Sequence, residues 1–161
     1  MRIGIHNSRE SFSERWIPYC ESNHINYKLV DCYSTDIIDQ LADCDALMWH
    51  FNHKSPKASK FARQLLYSVQ ASGKAVFPNY NTVWHFDDKV AETYLLQSIN
   101  APIPKSTMIF RYDDCLKRVK EEKIKFPIIA KLRGGSGSHN VKKIHSKYEL
   151  LRYGKKCSDL V

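Results

Sequence analysis

The feature that most constrains this chain is the alternation of two hydrophobic periods along its first half. "RIGIH" (Arg2 to His6), "YKLVDCY" (Tyr27 to Tyr33), "ALMWHF" (Ala46 to Phe51) and "KAVFPN" (Lys74 to Asn79) are short runs of β-branched, aromatic and aliphatic residues. They read as strands. Between them, "SFSERWIPYCESN", "TDIIDQLADC" and "SPKASKFARQLLYSVQASG" place apolar residues three and four apart. These read as helices, with Ser11, Thr35 and Ser55 as expected N-caps and Gly73 as an expected C-terminal stop. Strands alternating with helices predict right-handed βαβ units on a small parallel sheet of four strands.

The pattern changes at "FPNYNT", a turn-rich joint. We place a domain boundary there, giving residues 1–80 as the βαβ domain and 81–161 as a second lobe. That lobe begins with one long expected helix, "TVWHFDDKVAETYLLQSIN", capped by Thr82. An extended "APIPKSTMIF" follows, then the helix "YDDCLKRVKEEKI", the strand "FPIIAKL", a glycine loop, the strand "NVKKIH" and the helical "SKYELLRYGKK". A connection as short as Arg133 to His139 can join a hairpin but cannot hold a crossover helix, so this lobe is expected to be α+β with an antiparallel sheet.

The glycine loop carries the chemistry. In "KLRGGSGSHN" the lysine precedes the glycines, which excludes a Walker A loop. Asn140 stands where the dinucleotide fingerprint needs its third glycine, and no helical pattern follows. A hairpin remains, in which Gly134, Gly135, Ser136, Gly137 and Ser138 let successive backbone N–H groups converge on an anion. Lys131 ends the incoming strand. It shares a face with Ile129 by alternation, and that face is expected to be buried, where an unpaired ammonium is costly unless an anion neutralises it. A flexible hairpin with a solvated lysine is the competing reading. Upstream, Lys89 lies on the first turn of its helix, behind Asp88, a carboxylate favoured there by the helix dipole.

This order of motifs resembles the opening half of the ATP-grasp family: "DDK" at a helix start, the proline-flanked "INAPIP", then Pro-apolar-apolar-x-Lys running into a glycine-serine flap. The preceding βαβ domain resembles the pre-ATP-grasp domain. The resemblance implies that Lys89 and Lys131 touch nucleotide phosphates and that Gly134 to Ser138 close over the β- and γ-phosphates. It implies ATP and Mg2+ as cofactors. Family members carry the adenine hinge and the magnesium ligands in a second half, and after Lys131 only Glu149 and Asp159 are acidic here. No metal site is therefore expected in this chain, which reads as the N-terminal portion of a longer enzyme, inactive alone.

The implied reaction is that of an ATP-dependent carboxylate-amine or carboxylate-thiol ligase acting through an acylphosphate. The nearest branch includes ribosomal-protein glutamate ligases and ATP-grasp proteins of polysaccharide synthesis. The expected partners are a nucleotide and a small carboxylate or amine, with no membrane, and a homo-oligomer is compatible with all of this. His50 and His53, where the third strand ends, are candidates for an acidic acceptor, because ligands of open parallel sheets bind at the carboxyl ends of strands. An aromatic plug with satisfied histidines is the plain alternative.

Composition bounds the partners. Lys+Arg 25 against Asp+Glu 17 gives a net charge of +8, a field that favours anions. The alternative function is a non-catalytic anion or nucleic-acid binding module. Nucleic acid is disfavoured because aromatic and basic residues do not interleave as on an RNA-recognition sheet. Five cysteines without a C-x-x-C pair point to free thiols and a reducing compartment. With no signal-peptide pattern in "MRIGIHNSRE" and no apolar run of about eighteen residues, the expected location is the cytoplasm.

Overall fold

The computed structural model describes residues 1–52, 55–121, 124–134 and 140–158. The chain divides into two compact units, Met1–Phe86 and Asp87–Val161.

In the first unit, β1 (Ile3–His6), α1 (Ser13–Ser22), β2 (Tyr27–Val30), α2 (Ile37–Gln40), β3 (Ala46–Met48), α3 (Pro56–Ala71) and β4 (Ala75–Phe77) alternate as expected. The four strands form one parallel sheet in the order β2-β1-β3-β4. Side-chain alternation divides the core between the two faces. Ile3, Ile5 and Ala46 pack with Cys20, Trp16 and Ile17 on the α1 side. Leu47 and Trp49 join Leu41, Leu65, Leu66 and Val69 on the side of α2 and α3. Gly4 faces that second layer: a Cβ there would stand 2.7 Å from Cδ2 of Leu41, the residue that ends α2, so a side chain at position 4 requires Leu41 to move.

Helix starts differ from the sequence reading in an instructive way. Ser55 does cap α3, its Oγ accepting from the Ala58 N–H at 3.2 Å, and Gly73 adopts φ +88° just past the helix end. At the start of α1 the Ser11 Oγ accepts from the Ser13 N–H at 3.3 Å, as expected of a cap, whereas α2 starts after Asp36 rather than Thr35 and Asp36 makes no side-chain cap bond. The long helix expected from Thr82 is two helices. Asn79, not Thr82, caps α4 (Tyr80–Val83), accepting from the Thr82 N–H at 3.0 Å, while the Thr82 hydroxyl donates back to the Asn79 carbonyl. Tyr80 and Val83 pack on the first unit's core, which carries α4 with that unit and sets the division after Phe86 rather than at residue 80. Asp87, at φ +56°, then breaks the helical path.

The second unit contains α5 (Lys89–Ser98), α6 (Tyr112–Glu121), β5 (Ile128–Lys131), β6 (Val141–Ile144) and α7 (Lys147–Ser158). β5 and β6 pair antiparallel, with Lys131 opposite Val141. Residues 101–110 form no strand, which fits Pro102 and Pro104 lacking the N–H groups a ladder needs. Cys115, Val119, Ile144 and Leu150 form the core, with Ile128 and Ala130 packed against it. The five cysteines are unpaired thiols. No helix among the described residues is long and apolar enough to cross a membrane.

Candidate phosphate site at the root of the glycine hairpin

Asp88 organises the start of α5. It has extended backbone, and its Oδ1 accepts from the N–H groups of Val90 and Ala91, each at 3.1 Å. That is an N-cap, one carboxylate satisfying two of the orphan donors of the first turn. Its other oxygen, Oδ2, accepts from Arg133 Nε at 2.9 Å and Nη2 at 2.7 Å. Burial pushes the Asp88 carboxyl up, but the Arg133 guanidinium and the two backbone donors outweigh it and hold Asp88 below the usual carboxylate range.

The same junction is tied through the backbone. The Lys89 N–H donates to the Arg133 carbonyl at 2.8 Å, so the first residue of α5 is clamped to the residue before the glycines. Across the hairpin mouth, the Leu132 N–H donates to the Asn140 carbonyl at 3.1 Å and Asn140 Nδ2 donates to the Gly134 carbonyl at 3.3 Å. Asn140 sits at φ +63°, where asparagine is among the better-tolerated residues. The root of the loop is therefore held on both sides, by α5 and by β6.

Lys89 and Lys131 thus belong to one unit and flank the same hairpin root. The Lys89 ammonium lies 3.5 Å from Glu92 Oε2 and 3.9 Å from Asp87 Oδ1, loose pairs that leave its hydrogen-bonding capacity open to a stronger anion. Lys131 corrects an expectation: it and Ile129 lie on the exposed face of β5, while Ile128 and Ala130 face the core. Among the described residues, helices pack on the Ile128 and Ala130 side of this sheet, and Lys131 is exposed on the other, where its ammonium carries no burial cost. Gly134 departs as well. Its φ is not in the left-handed region, and an added Cβ would meet the Asp87 carbonyl oxygen only at 3.9 Å. Gly135, Ser136, Gly137 and Ser138 lie outside the described residues.

The histidine pair is only half described, since His53 lies outside the described residues. His50 belongs to the first unit, where its Nδ1 accepts from the Phe12 N–H at 3.3 Å and its ring stacks on Phe12 at 4.0 Å. No group of three or more metal-ligating side chains occurs among the described residues. Sequence reasoning missed Arg133 and Asn140. A signal for Arg133 was present, an arginine at the hairpin entrance in a chain with a capping aspartate at a second motif, but their pairing spans 45 residues and needs the fold.

No known family pattern matches the sequence, and no curated protein matches it. Solved structures do. The ATP-grasp RimK domain protein of Sphaerobacter thermophilus superimposes with a TM-score of 0.70 at 15% identity, over 100% of this chain and 60% of that protein. The N5-carboxyaminoimidazole ribonucleotide synthetase of Thermotoga maritima gives 0.63 at 14% identity, over 94% of this chain and 42% of its own. D-alanine–D-alanine ligase of Bacillus anthracis gives 0.54 at 18% identity, over 99% and 54%. The chain thus spans 60% or less of the length of each of these three proteins. Over the part it spans, this chain has the fold of the ATP-grasp proteins.

Proposed function

We propose that this chain is the phosphate-binding portion of an ATP-dependent ligase that activates a carboxylate as its acylphosphate and transfers the acyl group to an amine or thiol. The observation that carries the reading is the clamp between Lys89 and Arg133, because it ties the helix bearing one candidate lysine to the root of the hairpin that follows the other. The fold shared with a ligase and a synthetase supports it.

In this reading Lys89 and Lys131 are compact positive charges for the phosphate oxygens, and residues 134–138 supply backbone donors and exclude water. Asp88 does not touch the nucleotide. It neutralises Arg133 and keeps the helix and hairpin in register. Lys89 and Lys131, two ammonium groups on one unit, suit the charge of a polyphosphate. Magnesium, when bound, would neutralise charge developing on the transferred phosphoryl group. The described residues offer it no group of three or more ligands.

Calorimetric titration of the chain with ATP, ADP and AMP tests the reading. ATP and ADP should bind more tightly than AMP, and Lys131→Met should weaken ATP about tenfold to a hundredfold, the range for removing one hydrogen bond to a charged group. Equal affinity for AMP and ATP, or an unchanged Lys131→Met, overturns it. Binding of single-stranded nucleic acid in place of nucleotide would favour the non-catalytic alternative.

A further inference from the structure

His6 ends β1 on the side of the sheet where strands deliver their carboxyl ends, and it is 8% exposed. Its Nδ1 accepts a hydrogen bond from the Cys32 backbone N–H at 3.1 Å, so the neutral ring carries its hydrogen on Nε2. The same Nδ1 lies 3.7 Å from Asp31 Oδ1, beyond hydrogen-bonding reach but adjacent. Tyr33 and Trp49 stand edge-on to the imidazole at 5.5 and 5.6 Å.

A protonated imidazole has a hydrogen on both nitrogens. Its Nδ1–H would then point at the Cys32 N–H, donor against donor, with the carboxylate of Asp31 the charged acceptor within a small movement and the Val30 backbone carbonyl a neutral one beside the ring. We propose that His6 is a proton-operated latch: neutral, it holds the Cys32 backbone, and on taking a proton from solvent it releases Cys32 and donates to Asp31.

Among the described residues the groups facing it are few. Asp31 comes from the end of β2; Cys32 follows, its thiol pushed far up by burial, and Tyr33 has a hydroxyl also raised by burial, so both stay neutral near pH 6. Trp49, beyond β3, is uncharged. Burial lowers the His6 pKa from its ordinary 6.5, with Asp31 and the Val30 backbone carbonyl acting in the opposite sense. The folded pKa therefore lies below the unfolded one. The stability His6 contributes is present above pH 6.5 and is lost as pH falls toward the folded pKa.

The latch reaches the surface through Tyr33. Its N–H donates to Asp31 Oδ1 at 2.9 Å, the oxygen that the protonated ring would engage, and its ring stacks on Phe61 at 5.7 Å. Tyr33 and Phe61 are 54% and 39% exposed. A change at His6 is thus transmitted to an aromatic surface near the strand ends, the region where open parallel sheets bind ligands.

NMR on the 161-residue chain between pH 7.5 and 4.5 tests this. The imidazole nitrogens should show the Nε2–H tautomer at neutral pH. Below pH 6.5 the Cys32 amide should lose about tenfold in protection, the worth of one backbone hydrogen bond, with the midpoint of the His6 titration, and the Tyr33 ring signals should move with it. Asp31→Asn should lower the His6 midpoint. His6→Gln keeps an acceptor for Cys32 but cannot be protonated, and should abolish the pH dependence of Cys32 protection. Cys32 or Tyr33 indifferent to the His6 titration, or His6→Gln behaving as wild type, overturns the latch. So does simultaneous loss of the Leu66 and Val69 amide signals, which would make the transition unfolding of the whole first unit.

Discussion

Replacing Asp88 with alanine removes two interactions that the structure separates by oxygen atom. Oδ1 caps α5 through Val90 and Ala91, a contribution of about 1 kcal/mol. Oδ2 receives Arg133, whose side chain is 74% exposed, so screening limits that pair to at most about 1 kcal/mol. Helix α5 buries no residue of its own, so packing cannot compensate for a lost cap. Asp88→Ala should therefore cost about 2 kcal/mol, lowering the transition of the second unit by roughly 10 °C. Asp88→Asn keeps an acceptor for the helix and should cost about half as much. Thermal and urea unfolding of Asp88→Ala, Arg133→Met and the double variant would give a coupling energy near 1 kcal/mol. Because the folded Asp88 carboxyl lies below its ordinary 3.8, its contribution is present above about pH 4 and is lost as pH falls through the lowered value. Asp88→Asn should flatten that part of the acid limb. A coupling energy of zero, or a loss of under about 0.5 kcal/mol in Asp88→Ala, would refute the Asp88–Arg133 side-chain pair as an element that holds α5 to the hairpin.

Gly4→Ala should cost about 1–3 kcal/mol through its clash with Leu41, and Leu41→Val in the same chain should restore part of that loss in urea unfolding. Gly134→Ala should leave unfolding within about 0.5 kcal/mol of wild type, since its backbone is not left-handed and its nearest neighbour is at ordinary contact distance. Lys131→Met should likewise leave the thermal transition unmoved, because the lysine is on the open face of β5; a large drop would show it to be structural.

Much of the fold was legible in the sequence because it rests on local periodicity. Ile3 with Ile5, and Leu47 with Trp49, announce a two-residue period, Ala62, Leu65, Leu66 and Val69 a helical one, and their alternation leaves a parallel sheet as the economical arrangement. The hairpin was legible for the same reason: Arg133 to His139 is too short for anything else. Lys89 on a helix start and Lys131 on a strand end could likewise be placed without coordinates.

What required the tertiary structure were choices between near-equal local options and contacts distant in sequence. Asn79 and Thr82 are both good caps, and the packing of Tyr80 and Val83 on the first unit selects Asn79. Either face of "IIAK" is apolar enough to be buried; the helices under Ile128 and Ala130 leave Lys131 on the open one. Asp88 and Arg133 are 45 residues apart, and His6 and Cys32 are 26 apart. No periodicity relates such pairs, because a hydrogen bond between them forms only after the chain entropy between them has been overcome by the packing of everything else.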